Sequence, residues 1–199
     1  VSPVTPFYLV RMRRREWMTA QFVYLALASA VYLLFIMLVT GVLCMKYTFP
    51  GNLWSESAAR LGYSDLGKAL GVPVSVRAME SITPYECMLQ TAGLMLLYIW
   101  TLGFLILMVN LRFGKGRGIF AGVIYSLYGF LLDPDILEKI LGLQKGERYK
   151  VNLLVGWISP LNHAAYPGHS FGYDALPTVG QSVCLFLVIL AVLYWLAFR

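Results

Sequence analysis

Long uncharged apolar runs dominate the pattern of this chain, and three of them have the length of membrane helices. They occupy residues 21–44, 87–111 and 177–198. At a rise of about 1.5 Å per residue, about 20 helical residues cross a hydrocarbon core of roughly 30 Å. Each of the three runs is therefore predicted to be a membrane span.

Two shorter apolar segments lie between the second and third of these runs. Residues 118–132 would give roughly 22 Å of helix, which is less than a bilayer, and Asp133-Pro134-Asp135 ends them. The second segment, 151–158, ends at Ser159-Pro160. Irregular backbone at membrane depth persists only where it is buried in protein or lines a watery cavity. The pattern favours one short or broken span, 118–132, with re-entrant elements, and a locally thin bilayer is the alternative.

The composition agrees with a chain that lies in lipid. Hydrophobic residues make up 59% of the 199 residues and charged residues 13%, whereas a soluble domain has about 25% charged residues. These values exclude a soluble globular domain, and the high apolar content excludes a disordered chain. Because no internal repeat or low-complexity linker occurs, residues 1–199 are predicted to form a single transmembrane domain. The predicted fold is an all-α integral membrane protein with three long transmembrane helices and one short or broken span.

The few charges predict the orientation of the chain. Two basic clusters adjoin apolar runs, Arg11, Arg13, Arg14 and Arg15 before the first and Arg112, Lys115 and Arg117 after the second. Lysine and arginine are retained on the cytoplasmic side of membranes, so both clusters are predicted to lie inside, and the second mainly sets topology. The charge-balanced loops 46–86 and 133–176 are then external. The net charge of +6 belongs to membrane flanks, and no nucleic-acid partner is expected.

The segment 6–18 is predicted to be an amphipathic cytoplasmic helix. Phe7, Val10 and Arg14 recur at helical spacing while the other arginines cluster on another face. Such a helix lies at the membrane surface, with its arginines toward lipid phosphates or an acidic partner. An ordinary positive flank that fixes topology is the alternative.

Small residues predict one close helix contact. Gly118, Gly122 and Gly129 fall on one face of the short apolar segment, and such a face allows a neighbouring helix to approach closely. The preceding turn, 112–118, is rich in glycine and carries a lysine, but it lacks the spacing of a phosphate-binding loop and no strand precedes it. No nucleotide is expected to bind there.

The sequence offers weak candidates for chemistry. His163 and His169 lie in a loop rich in glycine and proline, with Asp174 as the nearest acid. No third ligand is in register with them, so they are interpreted as loop histidines without a site, and neither a metal nor a catalytic residue is predicted. The three cysteines are far apart and form no C-x-x-C pair, which favours small buried hydrophobes over redox chemistry; they are Cys44, Cys87 and Cys184.

The long spans contain no charged residue. Ion-coupled carriers and proton pumps usually need ionisable groups at membrane depth, so the pattern argues against a proton- or sodium-driven transporter that works alone. If the chain transports, its energy is expected to come from a partner. No Ser/His/Asp or H-E-x-x-H pattern of a membrane hydrolase occurs either.

Several short motifs, spread over nearly the whole chain, together carry a family resemblance. They are Pro6-Phe7-Tyr8-Leu9-Val10-Arg11 with Arg13-Arg14-Arg15-Glu16-Trp17, Asn52-Leu53-Trp54-Ser55, Pro84, Asn110-Leu111, Ser159-Pro160-Leu161-Asn162 and Pro177-Thr178. In this order they resemble the permease subunits of ABC-2 type exporters, in a bacterial branch. The run of three arginines stands where the family is variable, so individual contacts are not carried over.

The sequence does not begin with methionine, and we expect it to be an excerpt of a longer chain. The resemblance implies a permease half with six spans, of which two would precede Val1. Residues 6–18 would be the coupling helix that seats in a groove of the ATPase, with Arg11, Arg13, Arg14, Arg15 and Glu16 transmitting motion. The segments 118–132 and 151–158 would be the broken fifth span and its external re-entrant helices. ATP would bind to a partner ATP-binding cassette subunit, with no cofactor on this chain. A second permease half, identical or different, would complete the transporter in the bacterial cell membrane.

Three functions are weighed on this basis. The first is a multi-pass permease subunit of an ATP-driven exporter, itself not an enzyme, that moves an amphipathic, peptide or drug-like substrate because its spans are uncharged and aromatic. The alternative is a non-transporting membrane assembly or immunity subunit that binds a partner through its external loops. The third is a membrane enzyme that uses His163, His169 and Asp174.

Overall fold

The computed structural model of the chain is helical in its described part. It describes residues 13–47, 51–64, 66–70, 74–132, 134, 137, 142, 148–172 and 174–198. Within these ranges the regular elements are helices, and no strand is present. Three of the helices are long and apolar enough to cross a membrane, which confirms the predicted all-α membrane fold.

The helices follow one another in a simple order. They are α1 (Arg14–Cys44), α2 (Glu56–Tyr63), α3 (Leu66–Ala69), α4 (Val76–Ser81), α5 (Pro84–Phe113), α6 (Arg117–Leu131), α7 (Arg148–Ile158), α8 (Pro160–Ala164) and α9 (Val179–Phe198), with 3₁₀ turns at Met45–Tyr47 and Tyr166–Gly168. The long helices are α1, α5 and α9. Helix α5 is the central one, since α1, α6, α8 and α9 all pack against it.

Aromatic rings form the core between the three long helices. The ring of Phe22 on α1 lies 4.6 Å from that of Trp100 and 4.9 Å from that of Phe104, both on α5, and 5.4 Å from Tyr194 on α9. Phe104 is fully buried. The start of α1 therefore lies beside the second half of α5 and the last turns of α9.

A tight turn reverses the chain between α5 and α6. Gly114 and Gly116 have φ values of 99° and 90°, a region that glycine adopts without the clash a Cβ would cause. Helix α6 then returns along α5, with Gly122 beside Ile106 and Tyr125 stacked on Tyr98 at 5.8 Å.

This topology gathers the two basic clusters at one end of the bundle. The first turn of α1, the end of α5, the start of α6 and the end of α9 lie together there. We call this the basic end; its described charged residues are Arg13, Arg15, Glu16, Arg112, Lys115 and Arg117. The opposite, far end carries α2 to α4, α7 and α8.

Helix α6 covers only part of the length of α5. Beyond the level of Tyr98, α5 continues to Pro84, which is about 21 Å of helix. The end of α6 meets α8 instead, because Gly129 lies against Leu161 and Pro160. Ser159 separates α7 from α8, so the chain is broken where the sequence predicts re-entrant elements. Most of residues 133–147 lie outside the described part.

The start of α1 differs from a helix over 6–18. Arg13 has extended backbone, with φ −63° and ψ 141°, and α1 begins at Arg14. One continuous helix from residue 6 to residue 18 is therefore wrong at Arg13, and residues 14–18 are the first turn of the long helix. Residues 6–12 lie outside the described part.

Candidate functional site

Two histidines and a serine form a buried hydrogen-bonded chain at the far end of the bundle. The Oγ atom of Ser182 lies 2.7 Å from Nδ1 of His163 and 2.7 Å from Nε2 of His169. Ser182 is fully buried, and each histidine is 2% exposed. The sequence interpretation of two loop histidines without a common site does not account for this arrangement. We call the three residues the His–Ser–His triad.

Three different elements position the triad. Ser182 lies in the first turn of α9, His163 belongs to the short helix α8, and His169 follows the 3₁₀ turn Tyr166–Gly168. The triad therefore connects α8 and the following 3₁₀ turn to the start of the last long helix.

Ser159 fixes the position of α8. Its Oγ accepts a hydrogen bond from the backbone N–H of Asn162 at 3.3 Å and donates one to the carbonyl of Gly129 at 3.1 Å. A serine before a helix start commonly caps the free backbone N–H groups in this way. Because Gly129 lies near the end of α6, the second hydrogen bond holds α8 against α6. Ser159 is buried at this contact.

The outer nitrogens of both imidazoles face backbone carbonyls. Nε2 of His163 lies 3.0 Å from the carbonyl oxygen of Trp157. Nδ1 of His169 lies 3.1 Å and 3.2 Å from the carbonyl oxygens of Ala165 and Tyr166. A carbonyl oxygen only accepts hydrogen bonds, so each outer nitrogen carries a hydrogen and donates it.

The surroundings of the triad are aromatic. The ring of Phe186 lies edge-on to His163 at 6.4 Å, and the ring of Tyr166 stacks on His169 at 6.3 Å. Burial lowers the pKa of His169, hydrogen bonds to the carbonyls of Tyr166 and Ala165 oppose that effect, and the field of His163 lowers the pKa further. Burial is the largest of these effects, so the net result is a lowered pKa for His169.

Asp174 does not join the histidines. Its carboxylate pairs with the guanidinium of Arg77 on α4, and its carbonyl accepts a hydrogen bond from Ser170. In the described part of the chain, no group of three or more His, Cys, Asp or Glu side chains is placed to hold a metal ion. The three residues of the membrane-enzyme hypothesis are therefore not assembled. Ser182 is also fully buried, so a substrate has no access to it as a nucleophile.

The predicted coupling residues lie at the basic end. Arg13, Arg15 and Glu16 are exposed there, whereas Arg11 and the side chain of Arg14 lie outside the described part. The second cluster, Arg112, Lys115 and Arg117, is exposed on the turn between α5 and α6.

All three predicted packing glycines are buried. A Cβ at Gly118 would overlap the backbone carbonyl of Ile106, and one at Gly122 would lie 2.8 Å from the side chain of Ile106. A Cβ at Gly129 would lie 3.0 Å from Leu161. Two of the glycines thus face α5 and the third faces α8.

No protein-family model, curated protein or solved structure matches this chain. Functional interpretation therefore depends on the arrangement of its own residues. Sequence reasoning missed Ser182, because a single serine one turn inside an apolar run is unremarkable. The available signal was a polar residue, Ser182, near the start of an apolar span that follows two histidines.

Proposed function

We propose that this chain is the transmembrane permease subunit of an ATP-driven exporter of the ABC-2 type. It pairs with a separate ATP-binding cassette subunit, which binds the ATP, and with a second permease half. Its place is the bacterial cell membrane, with the basic end in the cytoplasm and the far end outside. Its cargo is an amphipathic, peptide or drug-like molecule.

The main support is the position of the basic clusters relative to α1. Arg13, Arg15 and Glu16 stand exposed at the first turn of a helix that continues without a break to Cys44. A regular α-helix of 31 residues is about 46 Å long. A displacement applied at these charges is therefore passed along the full depth of the membrane.

The exposed surface of α1 supports a second permease half or lipid as its neighbour. Among the described side chains of α1, only Met18 and Ser29 are buried. Its outward residues are large and apolar, including Leu27, Val31 and Phe35, which are 62%, 66% and 63% exposed. In a bilayer, such a surface contacts acyl chains or packs against another apolar helix.

The same outward face of α1 supports the nature of the cargo. Its exposed side chains, among them Tyr24, Leu27, Val31, Tyr32 and Phe35, are apolar or aromatic. Such a face suits a molecule with a large apolar surface, and it offers no ligands to a hydrated inorganic ion.

A search of the neighbouring genes for an ATP-binding cassette protein, followed by its co-expression with this chain, tests the proposal. We expect the two proteins to co-purify in a detergent-stable complex and the Arg13→Ala/Arg15→Ala variant to lower cargo-stimulated ATP hydrolysis several-fold. Arg60→Ala is the matched control, since Arg60 is exposed at the far end and pairs with Glu56 one turn away on the same helix. A chain with no such neighbour, or unchanged hydrolysis in the double variant, would contradict the proposal.

One observation favours a second candidate, a non-transporting assembly or immunity subunit that binds a partner outside the membrane. The far-end loop exposes Leu53, Tyr63, Leu66 and Leu70, at 77%, 63%, 57% and 67%. Exposed apolar residues on a loop can form a partner-binding surface. Replacing Leu66 and Leu70 by serine would abolish partner binding under this function and leave ATPase pairing unchanged.

A further inference from the structure

The His–Ser–His triad lacks one hydrogen when both imidazoles are neutral. Four contacts run in sequence from the carbonyl of Trp157 through His163, Ser182 and His169 to the carbonyls of Ala165 and Tyr166. Each neutral imidazole has one N–H and the serine has one O–H. Nδ1 of His169 contacts two carbonyl oxygens, and we count these as one contact. Three hydrogens are therefore available for four contacts.

The missing hydrogen falls between the serine and one histidine. Because both outer nitrogens donate to carbonyls, both inner nitrogens present lone pairs to the Oγ of Ser182. The serine donates to only one of them, and the other faces the oxygen without a hydrogen at 2.7 Å. A change of tautomer moves the deficit to a carbonyl and does not remove it. A buried polar contact without its hydrogen is costly.

One added proton completes the chain. The protonated imidazole donates from both nitrogens, the serine accepts that inner hydrogen bond, and the serine hydroxyl donates to the second imidazole. Four hydrogens then serve four contacts. We propose that His163, Ser182 and His169 form a proton-binding site that takes up one proton per chain, and that this proton fastens α8 and the following 3₁₀ turn to the start of α9. This site is independent of the exporter function.

A second proton is opposed by its environment. Burial and the charge of a protonated His163 both lower the pKa of His169, and a fifth hydrogen would leave the serine hydroxyl without its histidine acceptor. Because the two rings share one hydroxyl, the protons bind to the pair in two separate steps.

The other titratable groups near the triad lie on each of the packed elements. Tyr166 is on the turn, and burial together with the nearby Cys87 and Glu86 of α5 raises its pKa. Tyr98 on α5 and Tyr125 on α6 lie around Phe186 and α8. Cys184 is exposed on α9, and Arg77 and Asp174 form a closed ion pair on the loop side.

Nitrogen-15 NMR of the histidine rings tests the proton count directly. The full chain, labelled at its two histidines, is placed in lipid nanodiscs and titrated from about pH 8.5 to about pH 4.5, on either side of the ordinary histidine pKa of about 6.5. We expect one proton per chain to be taken up with a midpoint above that value, and the second with a midpoint well below it. Two neutral rings at about pH 6 would overturn the proposal.

His169→Gln provides a variant that removes the demand for the proton. The glutamine amide can donate to Ser182 from near the former Nε2 position, so the serine donates to a neutral His163 and the chain is satisfied without a charge. We expect the first uptake midpoint to fall by at least about one pH unit. A purely structural role for His169 would instead leave that midpoint unchanged and lower stability equally at every pH.

Thermal unfolding against pH gives a second readout that needs no labelled protein. The first proton binds more tightly to the folded chain, so the unfolding temperature rises as the pH falls through that step; the second, disfavoured in the folded chain, makes it fall again at acid pH. We expect this maximum in the wild type, and we expect no rise in His169→Gln. An unfolding temperature of the wild type that does not change with pH would overturn the proposal. Binding of added Zn²⁺ to both imidazole rings in place of the proton would also overturn it.

Discussion

The side-chain oxygen of Asn110 accepts a hydrogen bond from the backbone N–H of Gly118 at 2.8 Å. The last turns of α5 thereby cap the first turn of α6, whose first N–H groups have no partner within the helix. The contact is possible only because Gly118 has no side chain, since a Cβ there would lie 2.7 Å from Cγ of Asn110. The hairpin of α5 and α6 is therefore fixed at the basic end.

Gly118→Ala is expected to destabilise this hairpin. The new methyl group would overlap the backbone of α5, and overpacking of this kind costs about 1–3 kcal/mol. Gly93→Ala is the matched control, because nothing lies within 4 Å of a Cβ at Gly93 and alanine is favoured in a helix by about 0.5–1 kcal/mol. Reversible unfolding in mixed micelles measures both variants. Equal stability of the two would contradict the packing described for α6.

Thr19 and Tyr194 are expected to couple α1 to α9. Their oxygens lie 2.8 Å apart, and the Thr19 hydroxyl donates to the carbonyl of Arg15, so Tyr194 donates to Thr19. A double-mutant cycle with Thr19→Ala and Tyr194→Phe should give a coupling free energy of about 0.5–1.5 kcal/mol. A coupling near zero would show that α1 is held by ring packing alone.

Ser159→Ala is expected to loosen α8. The variant loses the cap of α8 and leaves the carbonyl of Gly129 without its buried donor, for a cost of about 1–3 kcal/mol. Ser55→Ala removes the comparable cap of the exposed helix α2 and should cost nearer about 0.5–1 kcal/mol. Hydrogen exchange at residues 160–168 should accelerate only in Ser159→Ala, and unchanged exchange there would refute the bridging role.

Tyr125→Phe is expected to leave stability unchanged or to raise it. The Tyr125 hydroxyl is buried and has no hydrogen-bond partner among the described residues, while the ring stacks on Tyr98. Removing an unpaired buried hydroxyl relieves a cost of about 1 kcal/mol, and the stacking remains. Chemical unfolding measures the difference, and a clear loss of stability would mean that the hydroxyl has an undescribed partner.

Tyr63 is expected to titrate above its ordinary pKa of about 10. Its hydroxyl donates to the carboxylate of Glu80 at 2.8 Å, and this hydrogen bond is the largest cause that raises the pKa of Tyr63. A raised folded pKa stabilises the protein below about pH 10, and that contribution is lost as the pH rises through the folded value. Subtracting the phenolate absorbance of Tyr63→Phe from that of the wild type isolates the titration of Tyr63. We expect the pKa of Tyr63 to be lower in Glu80→Gln than in the wild type. No movement would contradict the contact.

The long helices were predictable because hydropathy and length alone decide whether a segment suits a bilayer. The boundary at Arg13 was not, since the same residues satisfy a surface helix and the first turn of a span. Only the extended backbone of Arg13 distinguishes the two. The short apolar segment was predictable as an incomplete span, whereas its meeting with α8 depends on packing across the chain.

The triad illustrates what sequence patterns leave out. His163 and His169 were visible as a pair, but their common partner Ser182 lies on another helix, and neither spacing nor hydropathy connects it to them. Asp174 lies closer in sequence and was the natural third candidate, yet Arg77 of α4 neutralises it. Contacts between distant segments decided both outcomes.

Helix α1 behaves geometrically as a lever. Its last buried side chain is Ser29, and 22 residues follow Phe22 before α1 ends at Cys44, an arm of about 33 Å. With the rings around Phe22 as the fulcrum, a tilt of about 10° at the basic end would sweep the tip of this arm through about 6 Å. A small motion of a few arginines would thus be enlarged at the opposite face of the membrane.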